Sequence, residues 1–326
     1  MKLSSGQMRA GASRRAYDSI AIEPVAPGES NMDTIIIKGC LNGSRGREHN
    51  PNVPWTPEEV AQEAVRCYEA GASIVHFHAR TPDGGISYDP AWYAQTDAMI
   101  RAQCDLALNH TTARRADVPV EAVTRYLLET PQPVEMVSLN LGMGVRWGIN
   151  PETGQRRTSI TPNSFEDITA TLDACYQRGT FPEPAVHDMG DLNNAFTLME
   201  EGYIKDTRYF LVEPGAHWGD GRQAMVGSPR NYTLIAETIR ERYPESTWLA
   251  HSSLGQTFPL CAIAIATGAH IRVGFEDSPY LPNNPQPKSN AEYIEWAVTM
   301  ARLHGREPAT PQQARDMLGL IPFPGA

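Results

Sequence analysis

From residue 34 to residue 303 the chain repeats one unit: a short apolar run, a polar or glycine-bearing loop, then a helix-forming segment. The apolar runs are residues 34–41, 73–80, 106–112, 136–140, 183–187, 209–213, 247–251 and 271–276. Their length, β-branched and aromatic content and helical spacers predict parallel strands joined by crossover helices. The first helix carries its own start and stop signals. Thr56 is a good N-cap, Pro57 suits the first turn, Glu59 completes a capping box and Gly71 follows the last turn. Further helices are expected near 92–104, 120–129, 164–178, 191–201, 231–243, 259–267 and 290–303. Eight such units match the size and order of an α/β TIM (β/α)8 barrel. A doubly wound sheet is the second choice, and no GxGxxG follows the first strand to support it.

No linker divides the pattern, so residues 32–326 read as a single barrel domain. Residues 1–31 are rich in Ser, Gly, Arg and Pro without apolar periodicity. The basic start lacks the apolar core of a secretory signal. That segment reads as a loosely ordered N-terminal extension that packs on the barrel or on a partner subunit.

The net charge of −10 argues against a nucleic-acid partner and against an anionic membrane surface. Anionic substrates stay open, because local arginines decide that. The longest apolar run, Leu260-Cys261-Ala262-Ile263-Ala264-Ile265-Ala266, is too short to span a bilayer. Cys40, Cys67, Cys104, Cys175 and Cys261 show no CxxC spacing and read as small apolar residues of a reducing cytoplasm.

In a TIM barrel the C-terminal strand ends build the active site. Here those ends carry Asn42 and Arg45, then His76, His78 and Arg80, then His110 and Thr112, then Ser138 and Asn140. His187, Asp188, Glu213, His251, Ser252 and Ser253 follow, and the eighth strand supplies Arg272, Glu276 and Asp277. A purely structural rim needs no such density of functional groups, so the chain reads as an enzyme. In the second run, Val75, Phe77 and Ala79 face one way and His76, His78 and Arg80 the other. Two imidazoles so placed can reach one metal ion, and imidazole suits zinc. The pair taken alone is equally a set of hydrogen-bonded core histidines.

Strand eight neighbours strand one in a closed barrel, so Glu276 can reach across to the histidines as a third ligand. Its other reading is a rim salt bridge to Arg272. Two imidazoles and a carboxylate leave a divalent ion one positive charge, suited to polarising an anionic carbonyl substrate. Arg272 with Asp277 reads as a guanidinium serving an acid/base aspartate or a substrate carboxylate, or as a buried pair fixing register. Ser138, His110, Thr112 and Asn140 read as hydrogen-bonding groups for substrate oxygens, or as strand-end caps. His187, Glu213 and His251 read first as rim packing.

Val75-His76-Phe77-His78-Ala79-Arg80, Ser138-Leu139-Asn140 and Gly268-Ala269-His270-Ile271-Arg272-Val273-Gly274-Phe275-Glu276-Asp277 together resemble the β-keto acid cleavage enzyme family, long grouped as a domain of unknown function. The similarity runs from about Thr34 to Leu318 and includes Asn52-Val53-Pro54-Trp55-Thr56-Pro57-Glu58-Glu59 and Ala309-Thr310-Pro311-Gln312-Gln313-Ala314-Arg315. The resemblance implies a zinc-bearing barrel, usually a homo-oligomer (dimer or tetramer). It would condense a β-keto acid with acetyl-CoA and cleave the adduct to acetoacetate and a new acyl-CoA. By position, His76, His78 and Glu276 would bind the zinc, Asp277 assisted by Arg272 would take the C2 proton, and Ser138 would be the site hydroxyl. Arg45 stands about where relatives acting on amino-substituted substrates carry an acid, which implies a substrate with a second negative charge or a polar tail, as in a β-keto dicarboxylate; its other reading is an arginine that faces solvent or contacts CoA phosphates.

Three loops depart from the family pattern. The expected Ser/Thr-Thr-Gly-Gly run is His110-Thr111-Thr112-Ala113, the sixth loop opens Glu213-Pro214-Gly215, and the seventh, Ser252-Ser253-Leu254-Gly255-Gln256, lacks its basic residue. Zinc and enolate chemistry are therefore better supported by the sequence than acetyl-CoA as cosubstrate. The alternatives are a metal-dependent barrel lyase or hydrolase that does not use CoA, and a silent metal- or ligand-binding protein. The Arg272–Asp277 pair speaks against the second.

Overall fold

The computed structural model describes residues 34–150, 153–206, 208–215, 225–283 and 285–321; the expected arm, residues 1–31, lies outside the described residues. Eight parallel strands close into a barrel: β1 (Ile37–Cys40), β2 (Ile74–Phe77), β3 (Ala107–Thr111), β4 (Met136–Asn140), β5 (Phe181–Val186), β6 (Tyr209–Val212), β7 (Thr247–Ala250) and β8 (His270–Val273). β8 pairs back onto β1, with Arg272 opposite Lys38, and β1 pairs with β2, with Cys40 opposite His76. The TIM barrel expected from the sequence is the fold.

The crossover helices are α1 (Pro57–Ala70), α2 (Pro90–Arg101), α3 (Val120–Glu129), α4 (Phe165–Arg178), α5 (Met189–Glu200), α6 (Pro229–Arg242), α7 (Thr257–Ala266) and α8 (Ala291–Leu303). α1 begins as its sequence dictates: Thr56 accepts from the Glu59 amide, Glu59 answers to the Thr56 amide, and Gly71 closes the last turn. Among the described residues no helix is long and apolar enough to cross a membrane.

Alternation along the strands produces two cores. Outward residues such as Val75, Phe77, Val137 and Leu139 pack under the helices with Val60, Tyr93 and Tyr126. Inward residues Ile74, Ala107, Met136, Leu211 and Leu249 fill the lower barrel. A further helix, α9 (Pro311–Leu318), closes the floor with Ala314 and Leu318. Its Arg315, buried, reaches Asp105 at 3.1 Å, Glu135 at 2.5 Å and the Leu106 carbonyl at 3.2 Å, all just ahead of β3 and β4.

Among the described residues, two strand pairs also lie outside the eightfold pattern. Residues 34–41 are two pieces: Thr34–Ile35 pairs with Glu307–Pro308 beside the barrel, and only Ile37–Cys40 joins it. Between β4 and α4 the chain leaves the barrel as an antiparallel hairpin, Met143–Ile149 with Arg156–Pro162. With the floor filled, polar side chains collect at the other end of the barrel.

Candidate active site

β2 delivers His76 and His78 to the mouth because Val75 and Phe77 are buried in the outer core, which leaves the even positions facing inward. Asn42 holds the strand where its ladder ends: its Oδ1 accepts from the His78 amide at 2.9 Å, and its Nδ2 donates to the His78 carbonyl at 3.0 Å. Beneath His76, Nδ1 donates to Asn109 Oδ1 at 2.5 Å, which leaves Nε2 as the free lone pair. Asn109 is in turn held by Glu183, whose other oxygen is paired with Lys38; neither member of that pair is exposed.

Glu276 comes from the loop after β8. Gly274 makes this possible: it adopts φ +156°, and a Cβ there would lie 2.1 Å from the Cys40 carbonyl oxygen. The loop therefore passes close over the end of β1, and Glu276 reaches His76 Nε2 and His78 Nε2, each at 3.5 Å. The two imidazole Nε2 atoms lie 3.2 Å apart, and Glu276 Oε2 is a buried oxygen with no hydrogen-bond donor among the described residues. Ligand bonds of about 2.0–2.1 Å at a tetrahedral centre separate ligand atoms by about 3.3–3.4 Å, so the three residues fit a tetrahedral metal ion. Burial pushes the His76 imidazole down to about 3, so it is a neutral donor at pH 7. Burial alone would raise the Glu276 carboxyl; Arg272 and the two histidines hold it well below its usual range.

Arg272, on β8, joins this cluster to a second carboxylate. Its Nη2 lies 2.9 Å from both Glu276 Oε1 and Asp277 Oδ1, and its Nε contacts Asp277 Oδ1 at 3.2 Å and Oδ2 at 3.3 Å. Burial would raise the Asp277 carboxyl, but Arg272 and His251 keep it lowered and ionised. From Asp277 the polar line continues around the rim. His251 Nδ1 lies 3.3 Å from Asp277 Oδ1, and His251 Nε2 lies 2.7 Å from Glu213 Oε2. Glu213 Oε1 lies 3.1 Å from His187 Nε2, and His187 Nδ1 lies 2.8 Å from Asp191 Oδ2. These three rim residues, read from sequence as packing, form one connected line with Asp277.

Residues 34–320 match the family described as β-keto acid cleavage enzymes. The chain belongs to that family. It is 34% identical over 295 residues to a 3-keto-5-aminohexanoate cleavage enzyme of Fusobacterium nucleatum, covering 89% of this chain and 99% of the relative. It is 31% identical over 296 residues to the enzyme of the same name from Acetoanaerobium sticklandii, with the same two coverages. Among solved structures, the complex of ObcA with oxaloacetate superposes with a TM-score of 0.67 at 20% identity, covering 83% of this chain and 68% of that one, a likeness of fold.

The remaining expected site residues separate in the family fold. Ser138 and Asn140 share the inward face of β4 with Met136, and the Asn140 side-chain nitrogen is buried with no partner among the described residues, an available donor. Thr112 donates its hydroxyl to the Ser138 carbonyl at 2.5 Å, so that proton is spent on the backbone rather than on a substrate. His110 is a correction. It stands opposite the outward Phe77, its Nε2 lies 2.9 Å from Asp97 of α2, and it stacks on Tyr93 at 4.3 Å. It packs under the helices, away from the mouth.

Arg45 is a second correction. Its Nε donates to the Glu276 carbonyl at 2.6 Å and its Nη2 to the Asp277 carbonyl at 3.3 Å. It therefore braces the loop that carries both carboxylates, instead of reading a substrate tail. Arg80 supports the same region by donating to the carbonyls of Gly43, Arg45 and Gly84. Sequence reasoning passed over Asn109, Glu183 and Lys38. Asn109 and Lys38 stand in register with inward neighbours, opposite His76 and Arg272 respectively.

Proposed function

We propose that this chain is a zinc-dependent β-keto acid cleavage enzyme. It would condense a β-keto acid with acetyl-CoA and split the adduct into acetoacetate and a new acyl-CoA. The observation that carries the reading is the Arg272 bridge between the three-residue metal cluster and Asp277. Two neutral imidazoles and one carboxylate are a common donor set for catalytic zinc. When bound, such an ion supplies Lewis-acid polarisation of the keto group and a counter-charge for the enolate.

The chain's own residues do the rest. Asp277, ionised beside Arg272, takes the C2 proton, and Arg272 keeps that carboxylate oriented. Ser138 and the unpartnered Asn140 amide supply hydrogen bonds to substrate oxygens. The C2 carbanion attacks the thioester carbonyl of acetyl-CoA, a C–C bond forms and CoA thiolate leaves. The thiolate adds to the former keto carbon, the old C2–C3 bond breaks, and the proton on Asp277 returns to the acetoacetate carbanion. No Ser–His or Cys–His nucleophile is needed.

The names of the two bacterial relatives, both cleavage enzymes of a β-keto acid, support the reaction class. The five free cysteines support a reducing cytoplasm, and exposed Met143, Val145 and Ile149 on the hairpin support a homo-oligomer.

The decisive experiment incubates purified, metal-assayed protein with acetyl-CoA and a panel of β-keto acids and looks for acetoacetate with a new acyl-CoA in equal amounts. His76→Ala and His78→Ala should each lose the metal. Asp277→Asn should keep the metal and the fold while activity falls by about 10²–10⁴-fold. Full activity after complete removal of metal would overturn the reading.

A further inference from the structure

The rim line behind Asp277 has no part in the chemistry above, yet it is costly to build. Glu213, His251 and His187 are buried, from the ends of three different strands, and they meet only because β5, β6, β7 and β8 are consecutive in the closed barrel. His251 lies between two carboxylates: its Nδ1 is shared between the Ser252 carbonyl at 3.2 Å and Asp277 Oδ1 at 3.3 Å, and its Nε2 faces Glu213 at 2.7 Å. His187 repeats the arrangement between Glu213 and Asp191. Carboxylates and nitrogen groups therefore alternate along Asp191, His187, Glu213, His251, Asp277 and Arg272, and each imidazole lies between two carboxylates. Burial and Arg272 would both lower the His251 imidazole; Asp277 and Glu213 outweigh them and raise it.

The two oxygens of Asp277 are unequal as a result. Oδ1 receives Arg272 Nη2, Arg272 Nε and the approach of His251, whereas among the described residues Oδ2 has only the 3.3 Å contact from Arg272 Nε. Arg272 alone does not settle this rotamer, because it also serves Glu276. The His251 ring, seated by the Ser252 carbonyl with Nδ1 3.3 Å from Oδ1, adds the second contact that does.

We propose that His251 is a positioning residue for Asp277: backed by Glu213 and His187, it fixes Oδ1 and leaves Oδ2 as the oxygen that meets the substrate proton. This rests on the enolisation reading above. The charge ladder fixes an acid/base group to within the tolerance that proton transfer needs, where misplacement by about 1 Å costs about 10²-fold.

Two isosteres test it, because they sever different ends of the imidazole. In His251→Asn the amide nitrogen falls where Nδ1 stands, so the donor to Asp277 survives and the link to Glu213 is cut. In His251→Gln the amide nitrogen falls where Nε2 stands, so Glu213 keeps its donor and Asp277 loses one. The measurement is the exchange of the C2 protons of acetoacetate in D2O, followed by NMR, on metal-loaded protein. Metal content and Tm are measured alongside. His251→Asn should exchange within about tenfold of wild type, the scale of a single hydrogen bond and its charge. His251→Gln should be slower by about 10²-fold in exchange and in kcat, with KM little changed and metal content equal.

Should either histidine variant fail to fold, Glu213→Gln, which leaves His251 in place but neutralises its rear anchor, should lower kcat severalfold and leave KM alone. Wild-type exchange in His251→Gln, equal exchange in the two isosteres, or an effect of Glu213→Gln on KM alone would overturn the positioning role. No exchange by the wild type would instead overturn the enolisation reading, and this role with it.

Discussion

His76 Nδ1 and Asn109 Oδ1 lie 2.5 Å apart, across the β2–β3 ladder in which the two residues are register partners. That bond fixes the imidazole tautomer, so Nε2 is presented to Glu276 and to any ion between them. Replacing Asn109 by Leu should leave the barrel folded and weaken metal affinity by about 10–100-fold, measured by competition with a chromophoric chelator. Unchanged affinity would show that β2 alone orients the ring.

Two glycines near the centre should fail in different ways. A Cβ on Gly43, at φ +53°, would lie 2.3 Å from Glu276 Cγ, a side chain that can swing aside. A Cβ on Gly274 would lie 2.1 Å from the Cys40 carbonyl oxygen, part of a strand that cannot move. Gly43→Ala should therefore fold with a small loss of Tm and bind metal poorly, because its carboxylate ligand has been displaced. Gly274→Ala should lose the fold itself. Metal analysis beside thermal melts separates the two; equal metal content in wild type and Gly43→Ala refutes the first.

The barrel was legible because its signals are local: eight apolar runs, the box at Thr56 and Glu59, and the stop at Gly71 each act within a few residues. His76 and His78 were legible for the same reason, since Val75 and Phe77 declare the buried face. His110 failed by one position. It is in phase with Leu106 and Leu108, both in the outer core, so the inward residues of that strand are Ala107 and Asn109. A one-residue slip exchanges the faces of a strand, and the two leucines were the signal that could have prevented it. Arg45 was not legible, because its partners are main-chain carbonyls 231 and 232 residues away. The same holds for the ladder from His187 to Asp277: which side chains meet at a rim depends on loop paths that no periodicity encodes.

Lys38 and Glu183 face each other inside the barrel with no exposure to water, and Glu183 also holds Asn109. Removing one partner of such a pair strands a buried charge, at a cost of about 3–5 kcal/mol. Lys38→Met should lose stability on that scale in denaturant unfolding, and metal affinity should fall as well through Asn109. The double variant Lys38→Met/Glu183→Leu should recover much of the stability but none of the metal affinity. A double variant as unstable as Lys38→Met would show that packing, not the stranded carboxylate, sets the cost.

Stability should also record the charge on His187. Burial alone would lower this imidazole, but Glu213 and Asp191, which face its two ring nitrogens, raise it to about 10. The folded value is above the unfolded one of about 6.5, so the native state binds more protons between those two pH values. The contribution is then fully present below about pH 6.5 and is lost as pH rises toward about 10. His251 lies on the far side of Glu213 and, against its burial, is raised as well, chiefly by Asp277 and Glu213, so the two imidazoles share one carboxylate. Thermal melts from pH 6 to pH 10.5 should show wild-type Tm falling steadily. In His187→Gln the Tm should start lower and fall less over that interval, because the group whose proton is lost has been removed. Parallel curves for the two proteins would mean that His187 is neutral in the native state, and that the alternation of charge along the rim ends at Glu213.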